Sequence, residues 1–283
     1  MSMNHNPHTE HWTAERRFLF DLKGWVCIPA VLTEAEIAAC KAHIDRINDD
    51  PESIDPVFQS RPGLSGPLQD LLDHPVLVDV LRDIIAPDVR TEAGERSSEA
   101  YGFRVESNFT CRLPYNPERS GVHAHRGTKP LPSPHEYRYF DGRIYSGQTR
   151  AVWELNPVEH GKGGTRFLSG SHKSNLAVPD SVGRGDLAHF ETYSCPAGSL
   201  LVFCERTLHA GATWLDENHP RMSVFNCYNH YNAQVHKMHI SHEMVMQMPP
   251  KRRTLFRGVW EWWNRKDGPR VNNSYYSAEN RAL

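Results

Sequence analysis

Phe103-Arg104-Val105-Glu106-Ser107-Asn108-Phe109-Thr110-Cys111-Arg112-Leu113 is the stretch at which the chain changes its period. Its side chains alternate in character, which places them on opposite faces of an extended, half-buried strand. Further runs of strand character follow at 150–157, 164–168, 190–194, 199–205 and 221–228. Between them stand Gly163-Gly164, Ser169-Gly170-Ser171 and Pro196-Ala197-Gly198, residues suited to turns. Many short strands with turns between them predict a jelly roll or β-sandwich.

Upstream the pattern is helical. Thr33 and Glu36 have the spacing of a capping box, and Ile37, Cys40, Ile44 and Ile47 follow at helical intervals. These residues predict a helix over 34–48. Residues 18–29, around Gly24-Trp25-Val26-Cys27-Ile28-Pro29, read as a short strand. Residues 49–66 read as a loop, 68–85 as one or two short helices stopped by Pro87, and 89–100 as a connection. Beyond Tyr231 come a Met- and His-rich run, the basic Lys251-Arg252-Arg253 and the aromatic Trp260-Glu261-Trp262-Trp263. This tail reads either as helical cover for a sheet edge or as a lid over a substrate. The expected class is α+β in a single domain spanning 1–283, with a helical part over 14–90, a jelly-roll core over 101–231 and a C-terminal segment over 232–283.

Composition narrows the function classes. The chain has 283 residues, 39% hydrophobic and 23% charged, enough for a full core. A formal net charge of −2 argues against a general nucleic-acid or membrane surface. No apolar run reaches the ~20 residues that span a bilayer. The polar, His-rich opening does not resemble a signal peptide. Six scattered cysteines without a C-x-x-C pair argue against a disulfide framework or zinc knuckle. A cytoplasmic protein with reduced thiols is expected.

The chemistry centres on histidines. Val122-His123-Ala124-His125-Arg126-Gly127-Thr128 holds two at alternate positions. A third, His209, ends the strand-like Leu200-Leu201-Val202-Phe203-Cys204-Glu205-Arg206-Thr207-Leu208-His209. Arg221 follows it by twelve residues on another alternating run, with Ser223 on the same face. Upstream lie Trp153, Thr165 and the Gly170-Ser171-His172-Lys173 turn, whose His172 reads as structural.

In order and spacing these residues resemble the phytanoyl-CoA dioxygenase-like branch of the Fe(II)/2-oxoglutarate oxygenases. The resemblance runs from Gly24 to about Tyr231 and is strongest between His125 and Ser223. It implies a double-stranded β-helix core with flanking helices, and Fe(II), 2-oxoglutarate and O2 as cofactors. It implies His125 and His209 as iron ligands and Arg221 as the cation for the far carboxylate of 2-oxoglutarate. Ser223, Trp153 and the weaker candidate Thr165 would share that pocket. Imidazoles suit ferrous iron, and a guanidinium pairs bidentately with a carboxylate.

One position departs from the pattern. In this register Gly127 stands where the family carries a metal-binding Asp or Glu. Gly or Ala at that position is what the non-haem iron halogenases carry. Glycine vacates a coordination position and removes a negative charge, so chloride can bind the metal instead. The resemblance therefore implies a halogenase of specialised metabolism that chlorinates an unactivated C–H bond, with Arg126 a candidate to hold the chloride. Three alternatives stay open. His123, His125 and His209 together could form a three-histidine site. A hydroxylase could draw its carboxylate from elsewhere, although His189-Phe190-Glu191, the only other His-x-acid in the β region, is misplaced for this. A non-catalytic binding relative is the third.

For the substrate, the chain is similar to nucleotide halogenases that act on the sugar of 2'-deoxyadenosine monophosphate. A phosphate would need cations, and Arg166, Lys173, Lys129, Arg252 and Arg253 are candidates. Trp260 or Tyr101 could stack on a base. Taken one at a time, each of these reads better as an exposed charge or a core ring.

Overall fold

A computed structural model describes residues 10–87, 100–119, 123–126, 136–183, 189–236 and 238–259. Gly127, Lys129 and Trp260 lie outside them, as does the aromatic tail beyond.

Helix α1 (Ala14–Lys23) opens the described chain. Thr13 caps it by accepting from the Arg16 N–H at 3.2 Å, and Gly24 ends it at φ 83°. Residues 18–23, expected to begin a strand, are therefore helical. The strand itself, β1, is confined to Trp25–Ile28. Helix α2 (Glu34–Asp49) starts at the expected box: Thr33 Oγ1 accepts from Glu36 N, and Glu36 Oε2 accepts from Thr33 N at 2.8 Å. Three short 3-10 turns lie within 51–64, where an open loop was expected, and a fourth 3-10 element, Gly66–Leu72, opens the stretch expected to be helical; each has proline among its opening residues. Helix α3 (Pro75–Ile84) follows and buries Val76, Leu77, Val80, Leu81 and Ile84.

Nine strands are found among the described residues. After β1 come β2 (Phe103–Leu113), β3 (Arg138–Phe140), β4 (Arg143–Tyr145), β5 (Thr149–Glu154), β6 (Thr165–Phe167), β7 (Ser199–Cys204), β8 (His209–Gly211) and β9 (Arg221–His230). The principal sheet is antiparallel in the order β1-β7-β5-β9-β2, and β6 pairs with β8 in a small second sheet. The β3–β4 hairpin was not legible as a strand pair in the sequence. Residues 190–194, expected to be a strand, contribute a single bridge, Glu191 to Phe167, and Cys195 just beyond them bridges Val158. This is a jelly roll with helices against one face.

Strand parity sorts the side chains into two cores. Val26, Ile28, Ala151, Trp153, Leu200, Val202, Val224 and Tyr228 pack outward against Ile44, Leu68, Leu72, Val80 and Ile84 of the helical layer. Their neighbours Trp25, Val152, Leu201 and Phe203 face inward, joining Phe167, Tyr193 and Trp214 between the sheets. The described tail packs as cover: Met238, Ile240, Met244, Val245, Leu255 and Phe256 are buried in the outer core. No helix among the described residues is long and apolar enough to cross a membrane.

Candidate metal centre and anion pocket

The structure brings the expected histidines together, His209 buried and His125 exposed beside it. His125 and His209 form an isolated antiparallel bridge, each N–H donating to the other's carbonyl at 2.9 Å. Their rings lie side by side, centroids 4.3 Å apart. Each Nδ1 faces a carbonyl: His125 that of His123 at 3.2 Å, His209 that of Thr207 at 2.7 Å. A carbonyl only accepts, so each Nδ1 carries the proton and each Nε2 keeps its lone pair. That is the tautomer a metal needs at Nε2. His209 is buried, its ring 4.7 Å from that of Phe203. Burial holds its pKa below the ordinary value, so the imidazole stays neutral, although Glu205 pulls the other way.

The loop before His209 is fixed from three sides. Leu208 N donates to Ser171 Oγ at 2.7 Å, and Leu168 N donates to Leu208 O at 2.8 Å. Thr207 Oγ1 donates to Gly24 O at 3.1 Å. A Cβ at Gly24 would stand 2.3 Å from Thr207 Oγ1 and 2.5 Å from His172 Nδ1, at a φ that already favours glycine. The Gly170–Lys173 turn is thus structural, as the sequence suggests. His172 Nε2 donates to Asp21 O at 3.0 Å, and the ring is buried.

A carboxylate that the sequence analysis passed over stands beside His209. Glu205 continues the inward face of β7, two residues after Phe203. Its Oε1 accepts from Arg150 Nε at 2.6 Å, and its Oε2 lies 3.7 Å from His209 Nε2. Burial pushes this carboxyl up, but Arg150 and then the two histidines outweigh it, leaving the pKa below the ordinary value. Arg150 Nη1 also donates to Ser107 Oγ at 3.2 Å. Among the described residues no group of three or more His, Cys, Asp or Glu side chains could hold a metal ion.

Arg221 opens β9 and is buried on the same face, but it is not empty-handed. Its Nη2 donates to Glu154 Oε1 at 2.6 Å. Ser223 Oγ donates to Glu154 Oε2, and the Tyr193 hydroxyl to Oε1, both at 2.6 Å. Glu154 sits opposite Ser223 across the β5–β9 ladder. The expected cosubstrate contacts of Arg221 and Ser223 are thus engaged by the chain's own carboxylate. Arg221 Nε is buried without a hydrogen-bond partner among the described residues, so one donor still awaits an acceptor.

Trp153 is not brought to this site, which corrects the expectation for it. It alternates with Glu154 and so faces the helices, where its Nε1 donates to Leu71 O at 3.2 Å and its ring meets His74 edge-on. Thr165 lies buried on β6, opposite Gly211 and on the same strand face as Phe167. Arg126 Nη1 reaches Ser171 O at 3.5 Å, and burial, aided by Arg206, holds its pKa down.

The phosphate candidates do not converge. Arg252 pairs with Asp73 and Asp70 in the helical layer, and Arg253 donates to Met246 O and Met248 O. Lys173 pairs with Asp21, although it also lines a 270 Å³ cavity with Arg206, Glu136 and His172. Arg166 alternates with Thr165 and Phe167 and so faces away from them. Tyr101 is a core ring, stacked on Phe103 and donating to Asp73.

The donors suit the metal that the fold implies: two imidazoles with ring centroids 4.3 Å apart, each with its Nδ1 on a carbonyl, and a carboxylate 3.7 Å from His209 Nε2. The cosubstrate pocket fits in part, through the orphaned Arg221 Nε–H. An antiparallel jelly roll with paired histidines and a buried arginine is the frame of an iron- and 2-oxoglutarate-dependent oxygenase. Residues 20–222 match the family described as phytanoyl-CoA dioxygenase (PhyH), and the chain belongs to that family. No curated protein matches it by sequence. Among solved structures, HygX from Streptomyces hygroscopicus, with nickel and 2-oxoglutarate bound, superposes with a TM-score of 0.59 at 20% identity, over 77% of this chain and 87% of that one. EctD from S. alaskensis, with 2-oxoglutarate and 5-hydroxyectoine, gives 0.58 at 17% identity, over 82% and 79%. The epimerase SnoN from nogalamycin biosynthesis gives 0.52 at 17% identity, over 80% and 86%.

Proposed function

We propose that this chain uses Fe(II), 2-oxoglutarate and O2 to oxidise a C–H bond of a small molecule. The observation that carries the reading is the pair of adjacent imidazoles, each with its Nδ1 proton committed to a carbonyl and its Nε2 lone pair left to a metal. Bound there, the metal and cosubstrate would couple decarboxylation of 2-oxoglutarate to succinate with attack on the substrate. The net exchange is balanced: one oxygen atom of O2 goes to the substrate and the other to succinate. His125 and His209 hold the metal. Arg221 offers its unpaired Nε–H to the far carboxylate of 2-oxoglutarate. Phe203 and Phe167 flank His209 and keep water from that side.

Chlorination is the second reading, and Gly127 is what favours it. With no side-chain donor two residues after His125, chloride could take that position, with Arg126 beside it. A small-molecule substrate accords with the solved relatives, one of which holds hygromycin B and another nogalamycin RO. The sequence likeness to nucleotide halogenases makes 2'-deoxyadenosine monophosphate the first substrate to assay, although the named cations are paired or dispersed.

The test is turnover with Fe(II), 2-oxoglutarate, O2 and chloride, read by mass spectrometry. Succinate release with a substrate gaining one oxygen supports oxygenation. Replacement of hydrogen by chlorine supports the second reading, and a Gly127→Asp variant should then lose it. No succinate with any candidate substrate counts against both.

A further inference from the structure

We infer that the cavity beside Arg206 receives an anionic group of the substrate, a phosphate or a carboxylate, and so selects anionic small molecules. The substrate assignment rests on the oxygenase reading, but the anion site stands on residues other than the histidines and Arg221. The cavity, of 270 Å³, is walled by residues 136–139 at the start of the β3–β4 hairpin, by His172 and Lys173 of a 3-10 turn, and by Arg206. Three cations, Arg138, Lys173 and Arg206, line it against one carboxylate, Glu136.

Lys173 is already answered by Asp21 at 2.9 Å, but Arg206 is not answered in full. Arg206 is only 9% exposed. Among the described residues its guanidinium meets one carboxylate, Glu136 at 3.2 Å, and Glu136 Oε1 has no hydrogen-bond partner. The contact is therefore a charge pair without a directed hydrogen bond, on a group that carries five N–H donors. Burying a guanidinium this far costs free energy unless its donors are filled. A phosphate or carboxylate in the cavity would fill two of them at once, in a bidentate pair.

The position of the cavity ties it to the reaction. Arg206 stands three residues before His209, and Leu208 between them donates its N–H to Ser171 Oγ at 2.7 Å. That bond pins the loop carrying Arg206 and His209 to the turn that walls the cavity. From the other side Arg126, directly after His125, reaches Ser171 O at 3.5 Å. The histidine pair and the cavity thus share the Ser171 turn. Whole small-molecule ligands fill roughly 300–1,000 Å³, so this cavity takes a head group and leaves the reacting carbon outside it. Arg221 is a separate cation, held on β9 by Glu154. Substrate and 2-oxoglutarate then present their charges to different arginines.

The test is calorimetric titration of the metal-free full-length protein with inorganic phosphate and, separately, with acetate, at low ionic strength. The wild type should bind at least one of them, and the preferred anion distinguishes a phosphorylated from a carboxylated substrate. Arg206→Gln should weaken that binding at least tenfold, and Glu136→Gln, which removes the opposing charge, should strengthen it several-fold. The site lost in Arg206→Gln should survive in Arg221→Gln. Should Arg206→Gln not fold, the charge-balanced double variant Arg206→Gln and Glu136→Gln replaces it, with the same loss expected. With a substrate found by succinate release, Arg206→Gln should raise KM at least tenfold and keep kcat within a few-fold. Equal anion affinity in wild type and Arg206→Gln, or no anion bound by the wild type, would overturn the inference and leave the histidine pair untouched. Anion binding that depends on Arg206, with no succinate from any substrate, would instead sink the oxygenase reading and the substrate assignment with it.

Discussion

Glu154 Oε1 stands 2.6 Å from Arg221 Nη2, in a pocket where Ser223 and Tyr193 donate to the same carboxylate. A buried arginine is thereby neutralised from within, and three donors hold Glu154 in place. Burial alone would lower the Arg221 pKa, but Glu154 and then Tyr193 raise it above the ordinary value. An incoming carboxylate must share Arg221 with Glu154 at close quarters. Glu154→Gln removes the competing charge and keeps the shape. Affinity for 2-oxoglutarate should rise about tenfold, or about 1.4 kcal/mol, measured anaerobically on Mn(II)-loaded protein. An unchanged or weaker affinity would mean that Glu154 serves to aim Arg221 and not to compete.

Trp153 fills the core on the far side of β5 and donates to Leu71 O. Trp153→Phe loses that hydrogen bond and part of the ring. Stability should fall by roughly 1–3 kcal/mol, read by urea unfolding. The KM for 2-oxoglutarate should not move, because the side chain faces the helices. A KM change of tenfold without a stability change would return Trp153 to the cosubstrate pocket.

His172 gives a pH dependence. Burial holds its pKa at about 4 in the folded chain, against 6.5 for the ordinary imidazole. Between those values the unfolded chain binds a proton that the folded chain does not. The stability this group confers is therefore present above pH 6.5 and lost as the pH falls towards 4. The full difference is roughly 3 kcal/mol. His172→Gln should shrink the loss of unfolding free energy between about pH 7 and about pH 4.5 by roughly 2–3 kcal/mol. Equal losses in both proteins would place the acid sensitivity elsewhere.

What the sequence made legible was what depends on spacing along one segment. The Thr33–Glu36 box, the alternation of β2 and the shared face of Arg221 and Ser223 are all local. What it hid depends on pairing. Glu154 becomes part of the anion pocket only because it sits opposite Ser223, and that same register turns Trp153 outward. Glu205 had a usable signal, since it shares strand parity with Phe203 and precedes His209 by four residues. A search for His-x-acid pairs looks past it. Residues 18–23 carried too few periodic positions to separate a short helix from a strand.

The central claim is that His125 and His209 hold a ferrous ion to which 2-oxoglutarate binds. The most direct measurement is an anaerobic titration of Fe(II)-loaded protein with 2-oxoglutarate, followed by visible charge-transfer absorption. The account predicts a saturable band in wild-type protein, absent in His209→Ala at the same iron and cosubstrate concentrations. No band in the wild type, or an equal band in His209→Ala, would contradict it.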